Sequence, residues 1–169
     1  MTLIEVRELG RTIAYSFEDM MKYHGPGSPG GVAHAFKVME RAFALLTADG
    51  EVPARREIVL RTSFGGPGAR DGFELVTRAV SGERYTVDRS LARPELGRER
   101  ERFVFEVSYG GRSVTLVLRD GYVPPEFIDL ARKDGRSAAD DARLDELKAE
   151  MAERVMGADA ADVYDRAEA

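Results

Sequence analysis

Two histidines, one aspartate and two glycine-rich segments are the parts of this 169-residue chain with chemistry to offer. His24 heads the run His24-Gly25-Pro26-Gly27-Ser28-Pro29-Gly30-Gly31, and Phe64-Gly65-Gly66-Pro67-Gly68 forms a second run. Glycine-rich segments that lead into helices present backbone N–H groups to anions. Neither is a P-loop, because no Gly-Lys-Ser/Thr follows. Gly25, Gly27 and Gly30 share the spacing of a dinucleotide fingerprint, but a helical stretch precedes them instead of a strand. Imidazole titrates near neutrality, so His24 is a candidate ligand or general acid–base group. Asp71, near the start of a helix, is the candidate partner that would orient it, although helix-dipole stabilisation alone accounts for a carboxylate there. His34 sits beside an apolar helical stripe and reads as a structural, half-buried or surface histidine. Ser28 has a histidine four residues away but no third partner and no nucleophile elbow. No His-x-x-x-His or Glu-x-x-His pair argues for a metal. The candidate site is therefore His24 and Asp71 as acid–base groups. Gly25, Gly27, Ser28, Gly30, Gly31, Gly65, Gly66 and Gly68 are the ligand-binding positions, and the metal ligands are none.

Those residues need elements to position them. Residues Ile4 to Met21 contain a short helical pattern that begins at Ser16, whose hydroxyl can cap Phe17–Met21. The glycine-proline run from Tyr23 to Gly31 predicts a shaped loop. Val32, Phe36, Met39, Phe43 and Leu46 recur at helical period, so a long helix follows, ended by Asp49-Gly50. Glu57–Ser63 is rich in aliphatic and β-branched residues and predicts a strand. A second helix is expected from about Ala69 to Val80, and another strand over Arg84–Asp88. Phe103, Phe105 and Val107 alternate, as do Val114, Leu116 and Leu118, and Gly110-Gly111 between them predicts a hairpin. A short helix is expected from Glu126 to Lys133. A long one begins near Ser137 with Leu144, Leu147, Met151 and Val155 on one stripe, suited to docking on the domain or pairing with a second copy. Ala158–Ala169 reads as helical at best and free to fray.

This order predicts an α+β fold: helix, strand, helix, then three strands around a mixed sheet. A domain over residues 1–135 would carry a helical C-terminal extension over 136–169. The net charge is −5 with 33% charged residues of both signs, which argues against nucleic acid and anionic membranes as partners. The tract Arg98-Glu99-Arg100-Glu101-Arg102 alternates in sign and reads as a solvated loop or strand edge. The absence of cysteine excludes disulfides, thiolate catalysis and Cys-ligated metal centres. No apolar stretch approaches the roughly 18 residues of a membrane span. The N-terminal residues lack a signal-peptide core, so a cytoplasmic location is expected.

His24-Gly25-Pro26-Gly27-Ser28-Pro29-Gly30 followed by a long helix resembles the FmdE family, named for a component of formylmethanofuran dehydrogenase, whose hallmark is His-Gly-His, one residue, then Cys-Pro-Gly. The resemblance continues through Glu57–Ser63 and the helix with Asp71, Thr77 and Ala79, to about Lys133. It implies the fold already read from the residues, and a pocket between the two glycine segments with His24, Ser28 and Asp71 as polar groups. It also implies metal, commonly zinc, held by the family's histidine and cysteine ligands. Here the second histidine is Pro26, the first cysteine is Ser28, and two further family cysteines fall on Gly68 and Ala79. Hydroxyls are poor zinc ligands, so the resemblance carries over the pocket and not the metal. Three functions remain open. One is a small-molecule or cofactor-binding domain for an anionic or carbonyl-bearing ligand, the cofactor unknown. The others are an enzyme using His24, and an interaction module or homodimer built on the C-terminal helix.

Overall fold

A computed structural model describes residues 2–168. A five-stranded mixed sheet has the order β4-β3-β5-β6-β7, formed by β3 (Val59–Thr62), β4 (Tyr85–Val87), β5 (Val104–Tyr109), β6 (Arg112–Leu118) and β7 (Tyr164–Ala167). Only the β3–β4 pair is parallel. The β5–β6 hairpin runs in register from Val104↔Val117 to Tyr109↔Arg112. Gly110 and Gly111 both take positive φ, as a two-residue primed turn requires. The fold class is α+β, as the order of sequence patterns implied.

Leu60, Phe105, Val107, Val114, Leu116 and Leu118 are buried from β3, β5 and β6. The helix α2 (Pro29–Leu46) packs on β5 and β6, with α3 (Pro67–Thr77) and α5 (Ala138–Met156) also against it. Every α2 residue from Gly30 to Met39 is buried. Burial of each large side chain there, Val32, Phe36 and Met39 among them, contributes about 1.5–3 kcal/mol. The sheet's outer face carries Arg61, Glu106, Ser108, Ser113 and Thr115, none of them buried.

The structure departs from these expectations at both ends of the chain. The N-terminal segment before Ser16 is a two-stranded hairpin, β1 (Ile4–Glu8) and β2 (Arg11–Tyr15), and not part of a helix. The helix α1 (Phe17–His24) does start at Ser16, with a full capping box to Asp19. The segment after Gly157 is α6 (Ala160–Val163) followed by β7, which pairs with β6 and buries Tyr164 completely. Residues 136–168 therefore complete the sheet and core of residues 2–135 instead of extending from them. Leu144, Leu147, Met151 and Val155 are buried with α5 packed on α2 and α4 (Pro125–Ala131), so of the two uses expected for this stripe, docking on its own domain is the one found.

The glycine segments also differ from the loops expected. Proline stands at the first helical position of both α2 and α3, where its missing N–H costs nothing. Gly30, Gly31 and Gly68 are therefore helical. What they supply is proximity. A methyl group built on Gly31 would lie 3.0 Å from the Ala69 nitrogen, and one on Gly68 would lie 2.5 Å from the Ser28 carbonyl oxygen. One turn on, a methyl on Gly72 would meet the Ala35 β-carbon at 2.9 Å. The first turns of α2 and α3 touch backbone to backbone.

Gly68→Ala is expected to destabilise the fold by about 1–3 kcal/mol, because rigid backbone must move. Gly27 has open space around it and no positive φ. Gly27→Ala should be neutral or stabilise by up to about 1 kcal/mol through the unfolded chain. Urea unfolding of the two variants checks the contrast; equal effects would show that the seam tolerates a side chain.

Candidate functional site

The α1 helix stops at His24 because Gly25, at φ 90°, turns the chain while its N–H donates to the Met21 carbonyl at 2.7 Å. Asp71 lies in the second turn of α3, one turn later than expected, since the helix begins at Pro67. The two side chains meet: His24 Nδ1–H donates to Asp71 Oδ2 at 2.7 Å. A carboxylate can only accept, which fixes the proton on Nδ1 and leaves Nε2 as the free ring nitrogen. The His24 side chain is 9% exposed and that of Asp71 25%. Arg70 Nε donates to the other Asp71 oxygen at 3.2 Å. The pair thus cross-links α1 to α3.

A separate cavity of about 320 Å³ opens at the seam between the first turns of α2 and α3. Ser28, Gly30, Gly31, Gly66 and Gly68 line it, so five of the expected ligand-binding positions converge. Gly25, Gly27 and Gly65 do not line it: Gly25 caps α1, the Gly27 carbonyl accepts from Lys148 Nζ at 3.3 Å, and Gly65 lies against the Arg89 guanidinium. His24 and Asp71 are not in its wall either. Asp71 borders another hollow beside Tyr23, Arg70 and Glu74. A cavity lies between the two glycine segments, and the His24–Asp71 pair stands outside it.

Its remaining walls come from distant parts of the chain. Phe64 and Phe103 stack with centroids 4.5 Å apart and planes 24° from parallel. Phe127 and Ile128 from α4 and Met151 from α5 complete the apolar surface. Arg98, Arg102, Arg132 and Lys148 supply four cations. Arg98 is ion-paired with Asp129 of α4, whose hydrogen bond raises the guanidinium's affinity for its proton. Arg132 reaches back to Glu101 at 3.2 Å. Among the described residues, no carboxylate lies within 4 Å of the Arg102 guanidinium or the Lys148 ammonium. Sequence reasoning missed all four cations. The Arg98–Arg102 tract, read as solvated, contributes two cavity-lining arginines and the Glu101 partner of Arg132.

The helix ends add to this positive field. Neither N-cap, Ser28 nor Gly66, offers a side-chain hydrogen bond, and neither first turn holds an acidic residue. The N–H groups of Gly30, Gly31, Gly68 and Ala69 belong to these uncapped turns. Two positive macrodipole ends therefore meet without a carboxylate between them.

His34 proves wholly buried, not half-buried. Its Nδ1 is 2.7 Å from the Tyr164 hydroxyl, and its ring centroid is 4.7 Å from that of Phe103. Burial pushes its pKa from 6.5 down to about 3 and raises that of Tyr164. Its Nε2 is buried with no partner among the described residues.

The chain matches no protein-family model and no curated protein. The donor set does not fit zinc. Among the described residues no three His, Asp or Glu side chains converge, and His24 already spends Nδ1 on Asp71. Nor is any helix of the described residues long and apolar enough to cross a membrane.

Two outcomes are expected. His24→Asn should cost about 1–2 kcal/mol of stability, the worth of a hydrogen bond to a carboxylate. Ligand affinity in the cavity should change by no more than about twofold, because the dyad is not in its wall. Calorimetry showing a tenfold loss would place the dyad in the site. For His34, the unfolded chain binds a proton below pH 6.5 that the folded chain refuses until about pH 3. Stability should therefore be full above pH 6.5 and fall as pH drops below it, by up to about 1.4 kcal/mol per unit. Carboxylates such as Glu8 and Asp88, held low by Arg56 and Ser90 in turn, lose their contributions only further down. Urea unfolding between pH 6.5 and 5 isolates the histidine, and His34→Leu with Tyr164→Phe should flatten the slope.

Proposed function

We propose that this chain is a binding domain for a small anionic ligand, seated in the cavity where the first turns of α2 and α3 meet. One observation carries this reading. Two uncapped helix N-termini touch through Gly31 and Gly68, with no acid in either first turn, beside Arg102 and Lys148, which have no carboxylate partner among the described residues. Like ends of two helix dipoles in contact repel each other, and an anion in the cavity beside both ends turns that repulsion into binding. The apolar walls exclude water, which strengthens the attraction by lowering the local dielectric. Concave shape, a mainly apolar lining and a few convergent polar groups are the usual anatomy of a small-molecule site. The resemblance to the FmdE family supports the location, since it implies a pocket between the same two segments. The family's metal does not enter the proposal.

A second reading makes the chain an enzyme in which Asp71 orients His24 as a general acid or base. The 2.7 Å bond is the observation behind it. It requires a substrate in the hollow bordered by Tyr23 and Asp71.

The binding reading is tested by titrating the full chain with phosphate, sulfate and simple carboxylates, alongside native mass spectrometry of the purified protein for a co-purifying anion. At least one anion should bind and raise the unfolding temperature. The double variant Arg102→Gln, Lys148→Gln should bind it at least tenfold more weakly, about 1.4 kcal/mol. Its own unfolding temperature without anion should not fall, because the change removes uncompensated positive charge. If no anion binds or stabilises the protein, the reading is wrong.

A further inference from the structure

Given the anion-binding reading on which this rests, charge and shape narrow the class of ligand. Arg98 and Arg132 are answered by Asp129, Glu99 and Glu101, while Arg102 and Lys148 have no carboxylate partner among the described residues. Four cations against three carboxylates leave one positive charge. The two helix ends add about half a charge each. A ligand bearing roughly two negative charges balances the site, and a monoanion leaves it positive. Geometry separates the dianions further. The three terminal oxygens of a phosphate monoester can serve the α2 end, the α3 end and Arg102 together, which the two oxygens of one carboxylate cannot. The stacked Phe64 and Phe103, with Phe127 beside them, give the remaining wall a flat apolar character. About 320 Å³ lies at the small end of ligand sites, enough for one ring and one phosphate.

A buried orphan points the same way. If Tyr164 donates its hydroxyl proton to His34 Nδ1, a single atom is left unpaired, Nε2–H, instead of two. Side chains on a helix lean towards its N-terminus, so His34 lies over the turn of Gly30 and Gly31. That turn and Phe103, against which the His34 ring packs, both border the cavity. His34 is itself outside the wall, so a ligand ring against Phe103 reaches it through the Phe103 ring that separates the two.

We infer that the ligand is a small ring-bearing phosphate monoester, its phosphate on the two helix ends and Arg102 and its ring against Phe64 and Phe103. Phenyl phosphate is the probe, compared with inorganic phosphate and benzoate by calorimetry on the full chain at low salt. Phenyl phosphate should bind at least tenfold more tightly than either. Its affinity should drop severalfold from pH 7.5 to 5.5, as the second phosphate ionisation near pH 6 is reversed. Arg102→Gln should abolish most of its advantage over benzoate, and in labelled protein the His34 Nε2 proton should shift on saturation. Benzoate binding as tightly as phenyl phosphate would overturn the dianion while leaving an anion site. Inorganic phosphate binding equally well would overturn the ring. If the Gly31 and Gly68 amide resonances ignore all three probes, the anion-binding reading falls with it.

Discussion

Two helices in this protein approach so closely that no side chain fits between their first turns, and most of the structure is arranged around that contact. Gly31 and Gly68 bring α2 and α3 together at the end where each carries its positive partial charge. Exposed, such a charge is worth about 0.3–1 kcal/mol per helix, so the electrostatic penalty is small. Burial of α2 between the sheet, α3 and α5 contributes several times as much through Phe36, Met39 and Val32 alone. Packing therefore wins, and the positive ends are held in place whether or not anything neutralises them. That is the condition the proposed anion site requires: donors held together by the folded core before any ligand arrives.

The far end of α3 is fixed by a different device. Arg55 is buried, and its guanidinium donates to the carbonyls of Leu75 and Val76, to Glu8 and to the Tyr15 hydroxyl. A charged group taken from water is tolerated only when its donors are met. Here the acceptors include the last-turn carbonyls of α3, where the dipole favours a cation. One residue thereby ties the N-terminal hairpin to α3 and prevents the helix from pivoting about Gly68. Its role was invisible in the sequence, where Arg55 is one arginine among many in a connection without pattern.

What the sequence made legible follows the range of the interactions involved. The capping box of Ser16, the β5–β6 hairpin and the stripes of α2 and α5 depend on neighbours within a few residues, and all are present. The β1–β2 hairpin escaped although Ile4-Glu5-Val6-Arg7 alternates, because Leu9, not an asparagine or aspartate, precedes Gly10 in its turn and hides the hairpin signal. The β7 strand escaped because its only wholly buried side chain is Tyr164 among charged residues, and its pairing with β6 is a long-range fact. The glycines were legible as glycines, but composition cannot distinguish one needed for its φ, such as Gly25, from one needed for its missing side chain, such as Gly31. The cations of the cavity depend on α4 and α5 folding back over the seam. Before that fold is known, alternation of charge in Arg98–Arg102 is indistinguishable from solvation.

The separation of the His24–Asp71 pair from the cavity follows from helix geometry. Gly68 and Gly72 are four residues apart and face α2, so the α2 side of α3 is set by that pair. Asp71 is one residue before Gly72 and hence about a quarter-turn around the helix, on the flank that α1 covers. A residue there cannot also reach into a cavity opening at the tip of the seam. Its bond to His24 holds α3 against α1 instead. The dyad thus fixes the contact of α3 with α1, while the cavity depends on the contact of α3 with α2. A change at His24 is therefore a change to the packing of α1 on α3, separable from the wall of the cavity.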